Sequence, residues 1–209
     1  MAHNGILFLD ELTEFDRHTL DVLREPLESG RITISRAARQ AEFPANFQLI
    51  AAMNPCPQGY SCDGKNLCQC TIEQQRKHRS RISAPLLDRI DIHIEVPSVD
   101  RRTLAGTEEK SETNIEVKKR INAAYERQIK RCGKTNALLT SRETETYCKL
   151  NKAEQALLEQ AMEKLNLSAR AYHRILRMSR TIADLDNSLD IEPQHLSEAI
   201  SYRSLDRLM

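Results

Sequence analysis

The chain is 209 residues long, 40% apolar and 29% charged, with a formal net charge of +1. Those values exclude a disordered tail and leave length for one large domain or two small ones. Aromatics at 4% with no Trp argue against a stacking platform, and the near-neutral balance confines any nucleic-acid surface to a local patch.

No run approaches eighteen apolar residues, and the opening MAHNGILFLDEL lacks the basic flank and cleavage site of an export signal. The expectation is a cytoplasmic protein without a membrane partner, its six cysteines reduced or metal-bound.

In chain order, Gly5-Ile6-Leu7-Phe8-Leu9 is an apolar run that ends at once in Asp10 and Glu11. It predicts a parallel strand buried on both faces, which delivers its last residues to the crevice where open α/β sheets bind ligands. In nucleoside triphosphatases an Asp there holds Mg²⁺ through water, and a neighbouring Glu polarises the attacking water. The alternative is a strand ending in two solvated acids.

Thr13 reads as the cap of a helix over residues 14–29, with Leu20, Leu23 and Leu27 on one face. Pro26 is expected to kink or shorten its last turn and Gly30 to stop it. Residues 31–35 alternate as a strand, and 47–53 read as another. These two strands around a basic excursion with Arg36 and Arg39 predict a protruding hairpin. Basic groups at such a tip would track nucleic-acid phosphates without reading sequence; a solvated turn is the alternative.

Cys56, Cys62, Cys68 and Cys70 follow, spaced C-x5-C-x5-C-x-C. Four thiolates this close can make a tetrahedral zinc site, although ordinary ribbons use tighter pairs, so plain thiols remain the alternative. A short polar helix is predicted over 72–80, then Leu86-Leu87-Asp88-Arg89-Ile90-Asp91 and an alternating strand over 92–97. Residues 98–113 read as a linker. Helices are predicted over 115–130 (Val117, Ile121 and Ala124 on one face), over 152–165 (Ala156, Leu157, Ala161 and Leu165), after a Ser168 cap, and from Pro193. Short links between them imply an antiparallel bundle.

In this order GILFLDEL looks like a Walker B strand and AAMNP like a sensor-1 strand end. LLDRID looks like an arginine-finger motif, and SARAYHRILRMSRTIADL like a sensor-2 helix. The set resembles the AAA+ ATPases, within them the magnesium-chelatase-like branch, and there the competence-related ComM/YifB group.

The resemblance implies a fold that is α/β plus all-α, a partial P-loop NTPase core followed by a helical lid. The implied limits are 1–100 for the core, 101–137 for a linker and long helix, and 138–209 for the lid. It implies ATP and Mg²⁺ as cofactors, with Asp10 orienting the metal, Glu11 as general base and Asn54 bonding the γ-phosphate or the water. Arg89 would project from the subunit edge to a neighbour's nucleotide, and Arg170 would close on the phosphates from the lid.

The alternatives for Asn54 and Arg89 are a cap before Pro55 and an ion pair with Asp88 or Asp91. Arg174 lies one turn from Arg170 and competes with it for its role. Arg177 and Arg180 are expected to be surface or interface charges. The group often writes CPCG where this chain has Cys56-Pro57-Gln58-Gly59.

The pattern G-x-x-x-x-G-K-[ST] occurs nowhere in the sequence. The chain therefore resembles the second half of a longer protein. By itself it is expected to bind ATP weakly, to leave it unhydrolysed, and to expose a sheet edge. The functional expectation is part of a hexameric, ATP-driven DNA motor acting in branch migration. The alternatives are a magnesium-chelatase motor subunit and a nonenzymatic assembly module.

Overall fold

A computed structural model describes residues 2–36, 39–59, 68–97, 112–165 and 167–203, Arg36 and Arg39 by their backbone alone. The protein is mixed α/β and divides into two compact units, Met1–Ile90 and Asp91–Leu208. The expected linker over 98–113 falls mostly outside the described residues.

In the first unit β1 (Ile6–Leu9) pairs in parallel with a strand far along the chain, Gln48–Ala51. Between them lies a separate antiparallel hairpin, β2 (Arg31–Arg36) with β3 (Arg39–Pro44), so Gln48–Ala51 is β4. This corrects the expected hairpin. Its second arm is the polar stretch 39–44, and the apolar 47–53 segment joins β1 instead. The ion pair of Arg31 with Glu42 (2.5 Å) stabilises the hairpin across its exposed face.

The helix expected over 14–29 is divided. A 3-10 turn (Leu12–Glu14) leads to α1 (Arg17–Val22) and α2 (Arg24–Ser29). Asp16, not Thr13, caps α1, its carboxylate accepting from the backbone N–H of His18 (3.0 Å) and Thr19 (3.3 Å). Pro26 has no N–H to give the preceding turn, so the helix breaks at Leu23 and restarts with Pro26 in its first turn. Gly30, at φ 68°, ends α2 as expected.

α3 (Ile72–Arg79) is opened by a Thr71–Gln74 capping box, and α4 (Ala84–Leu87) follows. Leu12, Leu20, Ile82, Leu86 and Leu87 form the core, with Leu9, Leu23, Leu27, Met53 and Ile90 against it.

The core covers one face of the β1–β4 pair. Ile6 and Phe8 on β1 are 60% and 59% exposed, so β1 is not buried on both faces among the described residues. Successive side chains point to opposite faces, and Phe8 lies opposite Ile50 on the bare one. Each strand pairs only with the other here, leaving both outer edges open among the described residues.

The regular elements of the second unit are all helices among the described residues. α5 (Asn114–Cys132) starts at a Thr113–Glu116 capping box and ends at Gly133 in the left-handed region. A 3-10 turn (Asn136–Leu138) leads to α6 (Ser141–Tyr147), α7 (Lys152–Leu165), α8 (Ala169–Leu185) and α9 (Pro193–Ser201).

Ser168 caps α8 as expected, accepting from Ala171 N–H at 3.2 Å. α8 sits at the centre, with Ile175, Leu176, Ile182 and Ala183 in one core with Leu139, Leu158, Leu196 and Ile200. Two expected inward positions are exposed, Ile121 on α5 and Ala156 on α7, and the buried apolar residue of α7 is Leu158.

The strand expected over 92–97 has no ladder among the described residues. Its alternation leaves Ile92, Ile94 and Val96 exposed and buries His93, whose N–H donates to Tyr202 O (2.8 Å). Alternation favours an extended chain, but a strand also needs a neighbour.

Candidate nucleotide site

β1 and β4 run in register, Leu9 opposite Ala51, so their carboxyl ends finish at the same edge. Two bonds continue the register past the strands, Ala52 N–H to Leu9 O (2.9 Å) and Leu12 N–H to Ala52 O (2.8 Å). Asp10 and Glu11 leave one strand here and Asn54 the other, and all three are exposed. That edge is where open α/β sheets bind ligands.

Glu11 has φ 49° and ψ 49°, left-handed for a residue with a β-carbon. Such a conformation costs on the order of 1–2 kcal/mol and breaks the strand alternation immediately after Asp10. Asp10 offsets part of this cost: its Oδ1 accepts from Glu11 N–H at 2.9 Å. Its other oxygen takes no hydrogen bond among the described residues. An exposed carboxylate with a spare oxygen suits Mg²⁺, a hard cation that keeps several waters.

Asn54 is held through its backbone. The Nε2–H of His78, a buried residue of α3, donates to Asn54 O at 3.1 Å, and the Asn54 side chain lies against Gly59. Arg81, just after α3, donates to Thr13 O (3.0 Å) and to Glu14 Oε1 (3.0 Å), which fastens the turn behind the acids. Neither His78 nor Arg81 was legible as a support in the sequence, because each acts across a long span of chain.

Arg89 does not project. Its side chain is 10% exposed, pairs with Glu28 of α2, and donates from Nη1 to Pro85 O at 2.6 Å.

Arg36 and Arg39 are register partners closing the β2–β3 hairpin. Cys56, Cys68 and Cys70 come together, their sulfurs all within 4.8 Å of one another, while Cys62 lies outside the described residues.

In the second unit, Arg170 is exposed in the first turn of α8, and Arg174 one turn on pairs with Asp91 at 2.5 Å. Arg180 is buried, which corrects the expectation of a surface charge there, whereas Arg177 is half-buried. Arg177 donates to Thr144 Oγ1 and Ala137 O (both 3.3 Å). Arg180, 3% exposed, donates to Leu189 O (2.8 Å) and Ser188 O (2.7 Å). Burial pushes both guanidinium groups below their ordinary range. Among the described residues no helix is long and apolar enough to cross a membrane.

A family model described as magnesium chelatase, subunit ChlI, matches residues 1–104, and one described as its C-terminal part matches residues 110–203. The chain is 49% identical over all its 209 residues to competence protein ComM of Haemophilus influenzae and to the uncharacterized protein YifB of Escherichia coli. It spans 41% of the length of each. It is also 29% identical over 113 residues, 53% of this chain and 26% of the relative, to magnesium-chelatase subunit ChlI of Cyanophora paradoxa. One model takes over almost where the other stops, and together they span nearly the whole sequence: the chain belongs to the magnesium chelatase subunit ChlI family, within its ComM and YifB branch.

Proposed function

We propose that this chain supplies the metal- and water-handling acids, a phosphate sensor, a lid and a basic hairpin to a hexameric AAA+ motor that hydrolyses ATP to move DNA. The observation that carries the reading is the in-register parallel pairing of β1 with β4, which brings Asp10, Glu11 and Asn54 to one sheet edge.

In this reading Asp10 would hold a hydrated Mg²⁺, which would supply positive charge to the nucleotide's phosphates when bound. Glu11 takes a proton from the water that attacks the γ-phosphorus as the bond to ADP breaks, and the Asn54 amide steadies that water or the γ-oxygens. Arg89 serves a neighbour's nucleotide by exchanging Glu28 for phosphate. Arg170 is the candidate phosphate sensor on α8. The hairpin inserted between β1 and β4 presents Arg36 and Arg39 to the DNA backbone.

The test uses a protein that carries this chain behind a lysine-bearing phosphate loop. Glu11→Gln should lower its kcat by roughly 10²–10⁴-fold while ATP binding persists. Undiminished turnover in that variant refutes the reading; ATP turnover by the isolated chain, abolished by Glu11→Gln, would contradict only the expectation that this chain alone is inactive. Replacing Arg36 and Arg39 by Ala should weaken single-stranded DNA binding and lower its salt slope by about 1.4.

The likeness to a magnesium-chelatase subunit favours a second reading, a motor for metal insertion into a tetrapyrrole. ATP turnover stimulated by DNA decides for the first, and turnover indifferent to DNA for the second.

A further inference from the structure

We propose that Cys56, Cys68 and Cys70 form a structural zinc site tying the carboxyl end of β4 to the start of α3. The Sγ atoms of Cys56 and Cys68 lie 3.5 Å apart, and all three sulfurs fall within 4.8 Å of one another. In tetrahedral zinc with Zn–S of about 2.3 Å, sulfurs stand about 3.8 Å apart, inside that spread. A disulfide would bring two sulfurs to about 2 Å and leave the third without a role.

The surroundings have the features of a metal loop. Cys56 is fully buried, although it lies on a short irregular segment. Cys70 N–H donates to Cys68 Sγ at 3.4 Å, the kind of outer contact that steadies a coordinating thiolate. Gln69 N–H donates to Gln58 Oε1 (3.1 Å), and Gln75 Nε2 donates to Cys70 O (3.3 Å). These bonds link both arms of the loop and its exit into α3.

Three thiolates select a soft or borderline ion, and zinc among them imposes no redox chemistry. The fourth position of the tetrahedron is left to water or another donor. Cys56 is two residues beyond Asn54, whose carbonyl is already bonded to His78 of α3, so the ion reinforces an existing link between β4 and α3.

The test is elemental analysis of the whole 209-residue chain, purified under reducing conditions without chelator. About one zinc per chain is expected. Cobalt exchanged into the site should show intense thiolate-to-metal charge transfer. The double variant Cys68→Ser with Cys70→Ser should lose the metal, while Cys132→Ser and Cys148→Ser retain it.

A folded wild-type chain that holds no zinc and takes up neither zinc nor cobalt overturns the proposal, whatever the variants do. So does an intact mass two hydrogens light, which reports a disulfide, or an iron–sulfur chromophore. None of these readouts depends on ATP or DNA, so this proposal fails or stands apart from the motor reading.

Discussion

Asp184 lies fully buried in the helical unit, and its carboxylate is shared between two guanidinium groups and an amide. Arg131 donates to it from both Nη atoms, one at 3.0 Å, Asn136 Nδ2 donates at 2.9 Å, and Arg180 Nη2 lies 3.2 Å away. Truncation to alanine leaves Arg180 buried without its counter-charge, although its two carbonyl acceptors remain.

Breaking a buried pair by removing one partner costs about 3–5 kcal/mol. Arg131 is 22% exposed and can rehydrate, so the lower end, about 3 kcal/mol, applies to Asp184→Ala. Asp184→Asn keeps an acceptor but loses the charge and should cost about 2 kcal/mol.

Four of the five tyrosines, Tyr125, Tyr147, Tyr172 and Tyr202, lie in this unit, and the chain has no Trp. Tyrosine fluorescence in a urea titration therefore follows mainly the helical unit. At an m-value of about 1.5 kcal/mol/M, a loss of 3 kcal/mol lowers the midpoint by about 2 M. Exposed Asp190→Asn is the control, expected within about 0.5 kcal/mol of the parent. A shift no larger than that control in Asp184→Ala would refute the reasoning.

Lys134 and the Thr140 cap hold the Glu143 carboxyl at about 2, below its ordinary 4.5. Its contribution is therefore complete above 4.5 and lost as pH falls towards 2, and Glu143→Gln should flatten that part of the acid-unfolding curve. Burial pushes the Cys148 thiol up to about 11, with Arg180 and Arg131 pulling the other way. Alkylation at pH 8 should be at least tenfold slower than for an ordinary thiol until the chain is denatured, as mass spectrometry can follow. Gly30 has φ 68° with open space where a β-carbon would sit, so Gly30→Ala should cost about 1 kcal/mol in strain, read by chemical denaturation. Glu28→Gln should weaken the grip on Arg89, and under the proposed motor reading it should change turnover in mixed hexamers; no change would argue against release of that pair.

Local chemistry was legible in the residues themselves. Ser168 and Pro193 mark helix starts because a cap oxygen or a missing N–H acts within one turn, and Gly30 marks a stop because its φ is positive. Asp10 and Glu11 were readable as a strand-end pair because the apolar run before them admits one reading. The sequence also brought four cysteines into one stretch, although only the folded chain brings Cys56 to Cys68 and Cys70.

Tertiary structure alone decided what depends on distant partners. Residues 47–53 read equally well as a hairpin arm, and only parallel pairing with β1 made Gln48–Ala51 the neighbour that carries Asn54 to the acids. Arg177 and Arg180 lie on a helix rich in charge and look solvated in one dimension; remote acceptors on residues 137, 144, 188 and 189 draw them inward. Arg89 finds Glu28 about sixty positions away, a pairing no local pattern encodes. Period and capping are set within a few residues of chain, whereas the burial of a charge is set by whichever remote group arrives to satisfy it.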